Sequence, residues 1–388
     1  MRSLSLRESR LIVAAMAALG CGAPAGSSTP SSHDAAPIQP AAIPLDLERA
    51  RLALDGTVAT SREWPELAEA HPCILVFSEA REYAFDCVAS HTPGAAPVDH
   101  VRDVRAWDDS LHIAGRVLPY EQIAGSWVGR AFVYTEADPR TEFAREQAVF
   151  AMQSLSSLVA HHPAFDESTT TEEWASIFVH EHFHTAQLAH PSVQAAFART
   201  LAGGASVDSL DHRTLAAFAA ERPVLRAKLD REHETLAAAL RRAELSPEDA
   251  RSALCAWHRL RAERVRDHAD ELRSATALDL DTFEALQLFL EGTARYVETR
   301  YLVRGTSSVA PSDDPSFHAF ETFAGQSFAE LERTHPYLTG LGSSYVYNLG
   351  SLVAMLLDHA QPGWRSEVFE HEGWLVGLAG STCEEPAG

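Results

Sequence analysis

The segment Thr171-Glu-Glu-Trp-Ala-Ser-Ile-Phe-Val-His-Glu-His-Phe-His-Thr-Ala-Gln187 contains the spacing His-Glu-x-x-His at His180, Glu181 and His184. Residues four apart lie on one face of an α-helix, so both imidazoles can reach a single metal ion. A carboxylate beside the first histidine can then act as general base on a water molecule held by that ion. The spacing is typical of zinc hydrolases, and it predicts a Zn²⁺ site on this helix.

The residues around the motif favour a helix that begins near Thr171 and ends before Pro191. Thr171 is a suitable N-cap, and the acidic Glu172 and Glu173 would occupy the first turn. His182 falls on the opposite side from His180 and His184, so we do not expect it to be a ligand. The apolar residues that follow the first turn are Trp174, Ile177, Phe178 and Val179.

Length and charge limit the classes of protein to consider. The 388 residues carry 32 Lys and Arg against 54 Asp and Glu, which gives a formal net charge of -22. A chain of this length can form one to three domains. The acidic balance argues against nucleic acid as a partner, because phosphate binding needs a basic surface.

The N-terminus has the pattern of an export signal over residues 1–21. A basic segment precedes a short apolar run, Leu11 to Cys21, which cannot span a bilayer. Because the run ends on Gly20-Cys21, it resembles a bacterial lipoprotein signal. That resemblance implies lipidation of Cys21, location in the cell envelope, and membrane contact only through this anchor. Ala18-Leu19 inverts the usual residue order, so cleavage and secretion stay open. Residues 22–45 predict a flexible linker.

Residues 46–140 predict a small mixed α/β lobe. Strand signals occur at 74–78, 83–89 and 129–135, separated by turns that contain Pro and Gly. The first two would form a hairpin that brings Cys73 and Cys87 together as a disulfide. Cys255 and Cys383 could join a helix to the C-terminal tail, or both could be free.

Residues 141–388 predict a helical lobe that carries the metal site. Its first helix is expected from Glu142 to Ala160. Residues 200–280 look like an inserted helical hairpin, with arms at about 223–242 and 246–272. The mixed Arg and Glu on both arms predict a solvated face, and partner binding is a second interpretation of this hairpin.

Two residues are candidates for the third ligand. His190 completes the spacing of the metzincins, but Gln187 stands where those enzymes have glycine. With Gln187 the helix can continue, which leaves His190 about 9 Å farther along the axis than His184. Metzincins also need a methionine beneath the zinc, and Met355 lies in a helix-like run. These departures count against His190, and the second candidate is Glu291.

Glu291 begins the stretch Glu291-Gly-Thr-Ala-Arg-Tyr-Val-Glu298, which resembles the E-G-x-A-x-Y-x-E segment of the gluzincin zinc peptidases. The resemblance implies that Glu291, on a second helix, is the third metal ligand. Many gluzincins have an Asp four residues later to orient a histidine. Position 295 is Arg here, so we expect Glu298, or a carboxylate elsewhere in the chain, to take that supporting role.

The segment Tyr345-Val-Tyr347-Asn-Leu-Gly350 resembles the tyrosine-bearing helix that follows the zinc site in such peptidases. The resemblance implies that the hydroxyl of Tyr345 or Tyr347 stabilises the oxyanion of the tetrahedral intermediate. By the same analogy, residues 129–135 would form the edge strand that binds extended substrate.

Together these patterns predict an α+β, mainly α fold with a zincin-like helical lobe and a small mixed β N-terminal lobe. The expected function is an exported zinc metallopeptidase that acts on peptide or protein substrates. Two alternatives remain at this point: a non-catalytic envelope lipoprotein that uses the scaffold for partner binding, and a zinc hydrolase of a non-peptide amide or ester.

Overall fold

The protein is mainly helical, as the sequence predicts. The computed structural model describes residues 45–70, 73–77, 81–85, 102–106, 120–123, 126–129, 149–161, 165–304, 314, 317, 323–341 and 344–383. The predicted signal, linker and lipidation site at Cys21 lie outside these residues, and so does Cys87 of the predicted Cys73–Cys87 pair. Among the described helices, none has the length and apolarity needed to cross a bilayer.

Within the described part of the chain, two helices and six strands come first. They are α1 Leu45–Ser61, α2 Pro65–Ala70, β1 Cys73–Phe77, β2 Arg81–Phe85, β3 Arg102–Ala106, β4 Tyr120–Ile123, β5 Ser126–Gly129 and β6 Val149–Gln153. Four of the strands form a sheet of order β3-β2-β1-β6, and β4 pairs with β5 in a separate hairpin. β1 runs antiparallel to β2, with Ile74 opposite Phe85. This pairing confirms the hairpin predicted there.

The helix predicted from Glu142 to Ala160 is wrong over residues 149–153. These residues form β6, which pairs in parallel with β1, and a helix begins only at Leu155. Phe150 and Met152 are both buried, two residues apart, which is the spacing of one face of a strand. Their long-range pairing with β1 overrides the local helical pattern. Of the strand predicted at 129–135, Gly129 ends β5, and residues 130–135 lie outside the described residues.

The remaining elements are helical. They are α3 Leu155–His161, α4 Thr171–Ala189, α5 Pro191–Ala202, α6 Arg213–Ala220, α7 Pro223–Leu240, α8 Pro247–Thr276, α9 Leu280–Gln287, a π turn Leu288–Gly292, α10 Thr293–Arg304, α11 Phe328–Thr334, α12 Pro336–Thr339, α13 Tyr345–Ala360 and α14 Trp374–Ser381. Two short 3₁₀ turns also occur among the described residues, Val207–Leu210 before α6 and Trp364–Ser366 before α14.

The motif helix α4 lies at the centre of the fold. Its N-cap is Thr170, one residue before the predicted Thr171, and Glu173 completes a capping box with it. Trp174, Phe178 and Phe183 along the helix are fully buried. α4 packs against α1 and α10, so its histidines are held by a rigid, apolar element.

Helices α7 and α8 confirm the predicted hairpin arms. The two helices pack against each other and against α13. The prediction of a solvated charged face is wrong for part of the hairpin: Glu232 and Arg264 are fully buried, and Arg261 is nearly so. A disulfide joins Cys255 in α8 to Cys383 after α14, which decides between the two alternatives for this pair.

The helix predicted at 281–303 is present as α9, the π turn and α10 in one run. The π turn packs directly on α13. A Cβ atom added at Gly292 would lie 2.4 Å from Gly350 Cα, and one at Gly350 would lie 2.4 Å from the Leu288 carbonyl oxygen. The two glycines therefore allow backbone-to-backbone contact between the turn and α13.

Candidate metal centre

Helix α4 brings the side chains of His180 and His184 to one face, one turn apart. Their ring centroids are 5.0 Å apart and nearly perpendicular. His180 is buried, whereas His184 and Glu181 keep partial exposure to solvent. Solvent therefore contacts the motif at Glu181 and His184.

The π turn brings Glu291 to the two histidines. Its Oε2 atom lies 3.7 Å from Nε2 of His180 and 3.5 Å from Nε2 of His184. One ligand atom from each of the three residues lies within 4.8 Å of the others. Single π turns inside α-helices are frequent at functional sites, because they change the direction of side chains along the helix. The group is buried and can hold a metal ion.

The other imidazole nitrogens are held by supporting side chains. Nδ1 of His180 is 3.1 Å from Oε2 of Glu298, whose Oε1 accepts a hydrogen bond of 2.9 Å from Nη1 of Arg295. Nδ1 of His184 is 2.7 Å from Oε1 of Gln187. In the tautomer in which each Nδ1 donates its hydrogen to the neighbouring oxygen, both Nε2 lone pairs are left for a metal ion.

The chemistry of the donor set fits a cation. Among the described residues, Oε2 of Glu291 is a buried atom with no hydrogen-bond partner. A buried carboxylate oxygen without a partner is costly, and a metal ion would satisfy it. Two neutral imidazole nitrogens and one carboxylate oxygen are ligand atoms that suit a divalent transition-metal ion.

The electrostatics of the group agree with this description. Burial alone would lower the pKa of His180, but the Glu291 and Glu298 carboxylates raise it to about 9. Burial would raise the pKa of Glu291, but the neighbouring His184 and His212 hold it well below its usual value. The carboxylates of Glu291 and Glu298 therefore favour positive charge on the groups next to them.

Glu181 lies close enough to the three candidate ligands to interact with them electrostatically. Burial raises the pKa of its carboxyl, with Glu291 and Glu298 adding to the effect against the two histidines. A carboxyl with a raised pKa holds a proton more readily, which suits a group that takes up a proton and passes it on.

Tyr347 lies at the group, and Tyr345 does not. The ring of Tyr347 stacks on His180 with centroids 5.8 Å apart, and burial together with Glu291 raises the pKa of its hydroxyl, which stays protonated. The Tyr345 hydroxyl instead donates a hydrogen bond of 2.5 Å to Glu284 in a separate buried cluster. Of the two tyrosines proposed from the sequence, the structure brings only Tyr347 to the candidate site.

His212 is a residue that the sequence did not single out. Its Nε2 atom is 3.3 Å from the Tyr347 hydroxyl, and its Nδ1 atom is 3.3 Å from Oδ1 of Asp211. It follows the 3₁₀ turn within the segment read as an insertion. The Asp211-His212 pair was the available signal, but a single dipeptide among 19 histidines has little weight before the fold is known.

His182 in α4 and His190 just after it have other roles. Burial lowers the pKa of His182 to about 3, and its ring packs edge-on against Phe150. His190 caps the next helix, where Nδ1 accepts from the Ser192 amide and Nε2 lies 3.1 Å from Glu370. The structure thus places neither His182 nor His190 with His180 and His184.

Comparison of the chain with models of known protein families, with curated proteins and with solved structures found no significant match.

Proposed function

We propose that this protein is an exported zinc-dependent metallopeptidase with a zincin-like helical lobe. The observation that carries the proposal is the convergence of His180, His184 and Glu291 beside a partly exposed Glu181. In a tetrahedral zinc site with bonds of about 2.0–2.1 Å, ligand atoms lie roughly 3.3–3.4 Å apart. The distances of 3.5 and 3.7 Å from Glu291 to the two histidines are close to that value.

The bound Zn²⁺ would polarise the substrate carbonyl and make water a better nucleophile near neutral pH. Glu181 takes a proton from the attacking water and delivers it to the amine nitrogen that leaves when the peptide bond breaks. Its raised pKa favours the second of these transfers. Glu298 and Gln187 hold the two imidazoles in place through their Nδ1 atoms.

Tyr347 supplies the hydrogen bond that stabilises the developing oxyanion. Its hydroxyl remains protonated because its pKa is raised by burial and by the nearby carboxylates of Glu291 and Glu181. Nε2 of His212 lies within reach of this hydroxyl and can orient it. A donor of this kind contributes about 10²–10³-fold to kcat in acyl-transfer enzymes.

Export is part of the proposal. The Cys255–Cys383 disulfide supports an oxidising compartment, because such bonds are rare in reducing cytosol. The signal-like residues 1–21 would deliver the chain there, with Cys21 as the lipid anchor in the cell envelope.

The test combines metal analysis with turnover. The purified protein should contain one Zn²⁺ per chain and hydrolyse members of a peptide library, and a chelator should remove both properties. Glu181→Gln should lower kcat by about 10²–10⁴-fold while zinc stays bound. His182→Leu is the matched control on the same helix, and it should keep both zinc and activity in the folded variant.

Three results would overturn parts of the proposal. A folded protein that binds no stoichiometric zinc removes the metal site. Zinc binding without turnover of any peptide, ester or amide favours a scaffold that binds a partner. Turnover of esters or non-peptide amides alone moves the substrate class away from peptides.

A further inference from the structure

We propose that Gln187 is a positioning residue that fixes the imidazole of His184 and ties it to the turn that carries Glu291. The inference rests on the proposed metal site. It gives a function to the residue that stands where the alternative, metzincin-like spacing has glycine.

One end of the Gln187 amide holds His184. The side chain is fully buried, and its Oε1 atom lies 2.7 Å from Nδ1 of His184, three residues earlier on the same helix. An amide oxygen can only accept a hydrogen bond, so Nδ1 of the neutral ring must carry the hydrogen. The lone pair is then on Nε2, which lies 3.5 Å from Oε2 of Glu291.

The other end of the amide holds the π turn. Nε2 of Gln187 donates to the carbonyl oxygens of Phe289 and Leu290 at 2.9 and 3.2 Å, and to Oγ1 of Thr293 at 2.6 Å. Thr293 Oγ1 in turn donates to the Phe289 carbonyl. These carbonyls belong to the two residues immediately before Glu291, so the amide contacts the backbone that aims this carboxylate.

The surroundings determine the orientation of the amide. Turning the group over would place its oxygen against two carbonyl oxygens and its NH₂ group against Nδ1. A glutamate at position 187 would bring a negative charge to the same carbonyls. Only an amide can accept from His184 and donate to Phe289 and Leu290 at once.

The two candidate histidine ligands are therefore oriented by different chemistry. His180 is held by the Glu298 carboxylate, whereas His184 is held by a neutral amide. Through Gln187, hydrogen bonds connect the second histidine to the backbone just before Glu291, although the two helices are distant in sequence.

The experiment compares Gln187→Met with Gln287→Met. Gln287 is an equally buried glutamine whose Nε2 donates to a backbone carbonyl, that of Leu210, at 3.0 Å. We expect Gln187→Met to weaken Zn²⁺ binding by about 10–100-fold in chelator competition, the range seen when a supporting hydrogen bond to a ligand is lost. Gln287→Met should bind Zn²⁺ as the wild type does.

A second readout needs no metal. In the metal-free protein, ¹⁵N NMR of the neutral His184 ring should report hydrogen on Nδ1, and this preference should disappear in Gln187→Met. If Gln187→Met fails to fold, Thr293→Val is the second variant. Valine has nearly the shape of threonine but cannot accept a hydrogen bond from the Gln187 amide, so this variant should weaken Zn²⁺ binding several-fold.

The inference is wrong if folded Gln187→Met keeps the Nδ1–H form of His184, or if both glutamine variants bind Zn²⁺ equally well. Failure of the proposed function is a separate result: the wild-type protein would bind no Zn²⁺, while the tautomer measurement would still report on Gln187.

Discussion

Two buried clusters on the same helical run differ in how their carboxylates are satisfied. Glu284 in α9 receives two hydrogen bonds from Arg264, at 2.8 and 2.9 Å, and one from the Tyr345 hydroxyl. Glu291, seven residues later, faces two imidazoles and keeps a buried oxygen without a hydrogen-bond partner among the described residues. The Glu284 carboxylate is satisfied by protein donors, whereas the Glu291 carboxylate could be satisfied by a cation.

The neighbouring tyrosines follow the same division. Tyr345 and Tyr347 lie two residues apart at the start of α13, where the helix passes both clusters. Tyr345 joins the arginine cluster, and Tyr347 joins the histidines. Burial and a nearby carboxylate therefore do not identify a functional site, because the arginine cluster has both. The candidate metal centre differs from the arginine cluster in two ways: Glu291 faces two imidazoles, and its Oε2 atom has no hydrogen-bond partner in the described part of the chain.

The largest expected effect comes from exchanging each glutamate for glutamine. Glu291→Gln should weaken Zn²⁺ binding by more than about 100-fold, beyond the range for loss of a supporting residue. Glu284→Gln is its matched control and should leave Zn²⁺ affinity within a few-fold of wild type. Isothermal titration or chelator competition measures both, and equal losses of affinity would remove the distinction between the clusters.

The two glutamine variants should rank in the opposite order when the free energy of unfolding is measured. Glu284→Gln leaves the buried Arg264 guanidinium only partly paired, which should lower the free energy of unfolding by about 3 kcal/mol. Glu291→Gln should lower the stability of the metal-free protein much less. Urea denaturation with chelator present measures both values, and a larger loss for Glu291→Gln would contradict the comparison.

The tyrosines give the next test. Tyr347→Phe should reduce kcat by about 10²–10³-fold with stability nearly unchanged, because it removes the proposed oxyanion donor. Tyr345→Phe should cost about 1–3 kcal/mol in unfolding free energy, because Glu284 loses a buried donor, and should change kcat little. If Tyr345→Phe were the variant that lost turnover, the assignment of Tyr347 would fail.

The smallest expected effect is a change in folding stability at low pH. Burial alone would raise the pKa of Glu284, but Arg264 and Arg261 outweigh it and lower the pKa. A carboxyl of this kind stabilises the fold above its unfolded pKa, and that contribution is lost as the pH falls through the folded value. The stability difference between wild type and Glu284→Gln should therefore shrink below about pH 4.5.

Burial raises the pKa of Glu232, the other partner of Arg264, whereas the pKa of Glu284 is lowered. Glu232→Gln is the control for the acid experiment. Its stability difference from wild type should not shrink in the same pH range, and a parallel decline in both variants would show that the effect does not belong to Glu284.

The sequence by itself predicted the features that depend on local spacing. The four-residue interval between His180 and His184 is fixed by helical geometry, and the α7, α8 and α10 helices follow from caps and apolar periodicity. The resemblance to a gluzincin segment led to Glu291. The mainly helical character of the fold was also predicted correctly.

The tertiary structure decided what depends on contacts between distant residues. Local pattern favoured a helix at 149–153, but pairing with β1 makes it a strand. The sequence could not separate Tyr345 from Tyr347, because both fit an α13 helix equally well, and their partners come from α9 and α4. The π turn, the Gln187 amide and His212 share this origin: each acquires its chemistry only when helices distant in sequence pack together.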